Sequence, residues 1–293
     1  MPAAFMRGTL EVDEMHTEHV TVPFIRSSKV ATGSEPLSMI TAYDFPGARM
    51  VDRAGADMIL VGDSLAMVVL GHPNTLSVTV DEMAHHTRAV AAAQSLALVI
   101  TDMPWMSYHT TKKDAVLAAS KLIRAGARAV KIEGGAKRCK VIRAICDAEI
   151  PVVGHLGLTP QSVNGLGGFK VQGKDVASAQ RLLDDALAVQ EAGAFAVVLE
   201  AIPNTLARIV TERLEIPTIG IGAGADCDGQ VLVFHDLLGF GDSHRPKFVR
   251  SYGDFETSGV EALSKFVKDV RTKRFPSPSE TYHDTNGEIK KLY

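Results

Sequence analysis

The sequence predicts an α/β protein, a (β/α)8 TIM barrel, on three observations. Short apolar runs with strand character alternate with helix-patterned stretches over most of the chain. The strand-like runs number eight, at 38–42, 58–61, 97–101, 129–132, 151–153, 196–199, 218–221 and 231–233. A small echo, Ala-Gly-Ala, recurs at 54–56, 125–127 and 192–194, each time just before a strand. Glycine suits the left-handed residue that ends a helix, so the echo marks a repeating helix-to-strand joint. Strands that alternate with helices lie parallel with both faces covered, and eight such units close most naturally into a barrel. An open doubly wound sheet is the alternative.

The helical elements follow from spacing. Apolar residues recur at helical intervals over 114–125 and 177–192. Thr79-Val80-Asp81-Glu82 has the form of a capping box, so a helix starts there and runs past His85 and His86. That histidine pair sits in a helical pattern without a metal-ligating partner and reads as structural or surface. A last amphipathic helix is expected over 258–273.

Domain organisation is read as a polar N-terminal extension at 1–22, one barrel domain at 23–275 and a polar tail at 276–293. Length suits this, since α/β barrels run to about 250 residues as one domain. The 293 residues carry a formal charge of −3, which offers no basic field for nucleic acid or an anionic membrane. No apolar run is long enough to span a bilayer, and the first twenty or so residues lack the apolar stretch of a signal peptide. Cys139, Cys146 and Cys227 form no CxxC spacing and are odd in number, which suits free thiols in a reducing cytoplasm.

TIM-barrel active sites lie at the C-terminal ends of the strands. Asp63, Asp102, Glu133 and Glu200 fall at the ends of strands 2, 3, 4 and 6. Strands 2, 3 and 4 are neighbours, so their three acids can converge on one point. Crowded carboxylates repel unless a cation lies among them, and an oxygen-only donor set suits Mg²⁺. Each acid alone would also serve as a helix cap. Lys131 and Glu133 are two residues apart and face the same side of a strand. A lysine pointing into a barrel needs an anion, and a substrate carboxylate, Glu133 or Asp102 would serve. Glu200 is one strand removed from the trio and suits a general base better than a ligand. His155 is left with three roles: proton shuttle, hydrogen-bond donor or structural histidine. The run Gly220-Ile221-Gly222-Ala223-Gly224 fits either a phosphate loop or close backbone packing.

Seven motifs then resemble one family in the order they occur. They are Ile40-Thr41-Ala42-Tyr43-Asp44, Val61-Gly62-Asp63-Ser64, Thr101-Asp102-Met103-Pro104, Val130-Lys131-Ile132-Glu133-Gly134-Gly135, Gly154-His155-Leu156-Gly157-Leu158-Thr159-Pro160-Gln161, Glu200-Ala201-Ile202-Pro203 and Ile219-Gly220-Ile221-Gly222-Ala223-Gly224. Together they resemble the ketopantoate hydroxymethyltransferases. The resemblance implies a barrel of the phosphoenolpyruvate/pyruvate type. It implies transfer of a one-carbon unit from 5,10-methylenetetrahydrofolate to 3-methyl-2-oxobutanoate, giving 2-dehydropantoate on the way to pantothenate and coenzyme A. It also implies Mg²⁺ at Asp63, Asp102 and Glu133, oxo-acid contacts at Asp63, Ser64, Asp102 and Lys131, a Mg²⁺-stabilised enolate, and Glu200 as base. A homodecamer of two pentameric rings is the implied assembly. The competing readings are a Mg²⁺-dependent C–C lyase of the isocitrate lyase and phosphoenolpyruvate mutase type, which usually needs a loop cysteine, and a non-catalytic barrel.

Overall fold

In the computed structural model, which describes residues 18–241 and 246–284, eight parallel strands close into a barrel in sequence order. They are β1 (Leu37–Thr41), β2 (Met58–Val61), β3 (Leu98–Asp102), β4 (Ala129–Glu133), β5 (Val152–Gly157), β6 (Ala196–Glu200), β7 (Thr218–Ile221) and β8 (Gly229–Leu232). β8 returns to pair with β1 through Leu37 opposite Gly229 and Ile40 opposite Leu232. The fold expected from the alternation is therefore the one observed, as are β2 and β7 to the residue. Most of the N-terminal extension and the end of the C-terminal tail lie outside the described residues.

One joint differs from a regular repeat. β7 reaches β8 without an intervening helix. The link runs through Gly222 and Gly224, at φ +63° and +88°, which are turn conformations that L side chains avoid. A Cβ on Gly222 would stand 2.7 Å from the Phe248 ring, and one on Gly224 2.5 Å from Asn204 Cβ. Close packing thus accounts for this glycine-rich run.

Helix starts follow their caps. The Thr79 hydroxyl accepts from Glu82 N, while the Glu82 carboxylate accepts from Thr79 N at 2.7 Å, so the expected capping box opens the helix Val80–Ala91. His86 in that helix contacts the Tyr43 carbonyl through Nδ1 at 2.7 Å, a structural bond.

The barrel is filled by alternation. Met39, Met58, Leu60, Leu98, Ile100, Ala129, Val153, Ala196, Val198, Ile219 and Val231 form one buried cluster, floored by Val20 and Ile25. Val20 N also bonds to Leu96 O at 2.8 Å, so the packed chain includes Val20. Two-residue steps along a strand keep to one face. Stepping upward from this cluster reaches Asp102 on β3, Lys131 and Glu133 on β4, His155 on β5 and Glu200 on β6. The same periodicity that fills the lower barrel with hydrocarbon therefore carries the charged side chains to its upper end. At the opposite end the buried Lys29 ammonium pairs with Asp228 at 2.8 Å and also donates to Thr211 O.

By internal contacts the chain forms two compact units, Met1–Phe234 with Pro246–Val249, and His235–Arg245 with Arg250–Tyr293. The first holds the barrel. The second contains the helix Phe255–Arg271, which begins ahead of the expected residue 258 because Asp254 caps it. Among the described residues no helix is long and apolar enough to cross a membrane.

Candidate active site

The strand register brings the predicted residues together. Asp102 is opposite Lys131 across β3 and β4, Glu133 opposite His155 across β4 and β5, and Gly157 opposite Glu200 across β5 and β6. Asp63 lies just beyond β2. Asp63, Asp102, Lys131, Glu133 and His155 are all buried, at 5% exposure or less, and Glu200 is partly exposed. A surface role as simple helix caps does not fit such burial.

Asp102 and Lys131 form the central ion pair, with Nζ 3.1 Å from Oδ1. Of the three anions open to Lys131 in the sequence, substrate aside, this is the one it meets most closely. Burial works against the lysine charge, but Asp102, Glu133 and Asp63 outweigh it and hold the ammonium above its ordinary pKa. Asp102 Oδ2 accepts from Asp63 N at 3.0 Å. Glycine at 62 permits this turn, since a Cβ there would stand 2.8 Å from Ser64 Oγ. Ser64 Oγ is held by Tyr43 OH at 2.9 Å.

The strand between the acid trio and Glu200 carries His155, which touches both sides. Its Nδ1 stands 3.0 Å from Lys131 Nζ and 3.4 Å from Glu133 Oε1. Its Nε2 stands 3.1 Å from Glu200 Oε2, a close approach without hydrogen-bond alignment. Burial and Lys131 disfavour a cationic ring, Glu133 and Glu200 favour it, and the carboxylates prevail, raising the pKa to about 9. A neutral ring accepts from Lys131 at Nδ1, whereas a cationic ring turns Nδ1–H toward Glu133.

The acids are strained electrostatically. Burial, then Asp102 and Glu133, push the Asp63 carboxyl well above the usual carboxylate range. Burial acts the same way on Glu133, but His155, Lys131 and the Gln161 N–H hold it below its ordinary value. The Lys131 ammonium and the His155 ring are two cations among four carboxylates, Glu200 included, which leaves negative charge uncompensated. Among the described residues no three His, Cys, Asp or Glu side chains stand as a ready-made ion cage. The three acids meet around Lys131 instead.

Two further residues complete the site. Gln161, in the short 3-10 helix Pro160–Ser162 after β5, donates from Nε2 to Asp63 Oδ2 at 2.8 Å and to Met103 O at 2.9 Å, and from its backbone N to Glu133 Oε2 at 3.0 Å. Tyr108, in the loop after β3, donates to Gln161 Oε1 at 2.6 Å and accepts from Glu133 N at 3.3 Å. Gln161 lies inside a recognised motif, but the sequence assigned it no role, and Tyr108 had no signal at all.

Against this geometry stand the relatives. A family model described as ketopantoate hydroxymethyltransferase matches residues 19–278. The chain belongs to the ketopantoate hydroxymethyltransferase family. A 3-methyl-2-oxobutanoate hydroxymethyltransferase of Geobacter sulfurreducens is 55% identical over 253 residues, covering 86% of this chain and 94% of the relative. One from Geobacillus thermodenitrificans is 51% identical over 266 residues, covering 90% and 95%. Among solved structures, a 2,3-dimethylmalate lyase of the PEP mutase/isocitrate lyase superfamily superposes with a TM-score of 0.55 at 16% identity, covering 92% of this chain and 93% of that one. That second likeness is one of fold. A lyase chemistry that uses a cysteine has little support here. Cys139 and Cys146 lie on the helix Cys139–Asp147, Cys227 is buried in the β7–β8 link, and burial raises all three thiol pKa values.

Proposed function

We propose that the chain transfers a hydroxymethyl unit from 5,10-methylenetetrahydrofolate to 3-methyl-2-oxobutanoate, giving 2-dehydropantoate, in the route to pantothenate. The observation that carries this reading is a pair of carboxylate oxygens at the barrel mouth met only by a basic side chain, Asp102 Oδ1 by Lys131 and Glu133 Oε1 by His155, taken with the family. Asp102 Oδ1 and Glu133 Oε1 are buried without a hydrogen bond, while the second oxygen of each accepts a backbone N–H.

This donor set fits a divalent cation. Mg²⁺ commonly binds through one or two carboxylates and keeps positions for water and substrate oxygens, so a complete protein cage is unnecessary. Asp63, Asp102 and Glu133 would hold it, and the excess negative charge around Asp63 favours it. When bound, the ion supplies Lewis-acid polarisation of a ketone oxygen.

The remaining steps belong to side chains of this chain. Lys131 presents its ammonium to the carboxylate of the oxo acid. Ser64, its hydroxyl oriented by Tyr43, adds a hydrogen bond to the same substrate. Glu200 takes the proton from C3, and the C–H electron pair becomes the C2–C3 double bond of an enolate. His155 Nε2 lies beside this base, 3.1 Å from Glu200 Oε2. Water releases the methylene carbon of the folate at the formaldehyde level, both C–N bonds breaking and tetrahydrofolate leaving with the two hydrogens of water. The enolate C3 adds to that carbonyl carbon, and its oxygen takes the proton held by Glu200 to become the hydroxyl. The same reading includes self-association into a homodecamer of two pentameric rings.

The test is product formation by the purified chain from these two substrates, before and after chelation of divalent metal. The reading expects 2-dehydropantoate only while metal is present. Absence of product with Mg²⁺ and both substrates would overturn it.

A further inference from the structure

Gln161 is buried, and its amide is used in full. Both Nε2 hydrogens are committed, one to Asp63 Oδ2 and one to Met103 O, and Oε1 receives the Tyr108 hydroxyl. The orientation of this amide is dictated by its neighbours. A carboxylate and a carbonyl only accept, so turning the amide over would set oxygen against oxygen at both contacts. Tyr108 secures the arrangement from the far side, because its own hydrogen goes to Oε1 while its oxygen receives Glu133 N.

The consequence falls on the acids. Gln161 reaches Asp63 with its side chain and Glu133 with its backbone, and so links carboxylates from the ends of β2 and β4. Tying Oε2 of Glu133 leaves Oε1 as its oxygen without a hydrogen bond, 3.4 Å from His155 Nδ1. A carboxylate pinned through one oxygen has little freedom to rotate, and the second oxygen is offered in a fixed direction. Groups of this kind behind metal-holding residues set ligand orientation and basicity.

We infer that Gln161 is the positioning residue for the cation-holding carboxylates, with Tyr108 fixing its amide. The inference rests on the proposed role of Asp63 and Glu133 toward a divalent cation. Neither residue needs to touch the substrate. A residue that only packed the loop would alter stability and leave ion affinity alone, which separates the two roles.

The experiment titrates Mn²⁺ into the full chain, freed of metal by chelation, and counts free ion by electron paramagnetic resonance. The proteins are wild type, Gln161→Met, Tyr108→Phe and Asp63→Asn. Methionine keeps the length and bulk of glutamine without its donors. Gln161→Met is expected to weaken Mn²⁺ binding by about 10- to 100-fold, the usual loss for such supporting groups. Tyr108→Phe is expected to weaken it by a smaller factor. Saturating Mn²⁺ should restore much of the turnover lost by Gln161→Met, which repairing a packing defect would not do. A wild-type Kd in Gln161→Met overturns the inference. Should that variant not fold, Tyr108→Phe decides, and an unchanged Kd there overturns it. If instead Asp63→Asn binds Mn²⁺ as wild type does, the reading of the cation site fails, whatever the Gln161 variant does.

Discussion

Asp102 ends β3, Lys131 lies opposite it on β4, and their side chains meet at 3.1 Å inside the barrel mouth, both almost wholly buried. Removing one member of a buried pair leaves the other charged and unpartnered, at a cost of about 3–5 kcal/mol. Lys131→Met should therefore lower the stability of the metal-free protein by roughly that amount in urea unfolding. It should also raise the KM for the oxo acid. An unchanged KM together with lost stability would make the pair purely structural.

Gly157 closes β5 beside the proposed base. Its φ is +91°, and a Cβ there would stand 2.2 Å from the Glu200 carbonyl oxygen. Leu158 N also bonds to that oxygen at 2.8 Å, so the two strand ends cannot simply separate. Gly157→Ala should destabilise the protein by about 1–3 kcal/mol from backbone strain alone. It should also displace Glu200 and lower kcat more than it raises KM. Thermal unfolding and steady-state kinetics check both.

The capping box at Thr79 carries a pH dependence. The Thr79 hydroxyl and then its backbone N–H hold the Glu82 carboxyl below its ordinary pKa. A depressed pKa contributes stability above the ordinary glutamate value, and that contribution is lost as pH falls through the lowered one. Thr79→Ala should cost about 1 kcal/mol at neutral pH, typical for an N-cap. The gap between variant and wild type should narrow as the solution is acidified below the glutamate range. A gap independent of pH would mean the carboxylate takes no part.

Much of this site was legible in the sequence because periodicity does double duty. The alternation that marks β3, β4 and β6 as strands also places Asp102, Lys131, Glu133 and Glu200 on their inner face. The less legible parts have physical reasons. The sequence marks only three residues of β5, because Gly154 and Gly157 carry no strand propensity, yet the strand extends through Gly157. Its extension is what brings His155 into register with Glu133. β8 begins earlier than expected, at Gly229, where a Cβ would meet Leu37 O at 2.5 Å. The residues without a role in the sequence, Tyr108 and Gln161, are neutral and sit in the connections after β3 and β5, Gln161 on a single 3-10 turn. Their bonds depend on how those loops fold over the mouth, which no local pattern encodes. The β7–β8 link lacks a helix because its glycines and short polar residues favour turns over helix.

On the proposed function, Glu200 removes a proton from C3 of an oxo acid held at this mouth. The most direct measurement is deuterium uptake at C3 of 3-methyl-2-oxobutanoate in D₂O with Mg²⁺ and without folate, comparing wild type with Glu200→Gln. The wild type is expected to exchange, and the variant to fall by about 10²- to 10⁴-fold, the usual worth of a general base. Exchange by Glu200→Gln at the wild-type rate would contradict it.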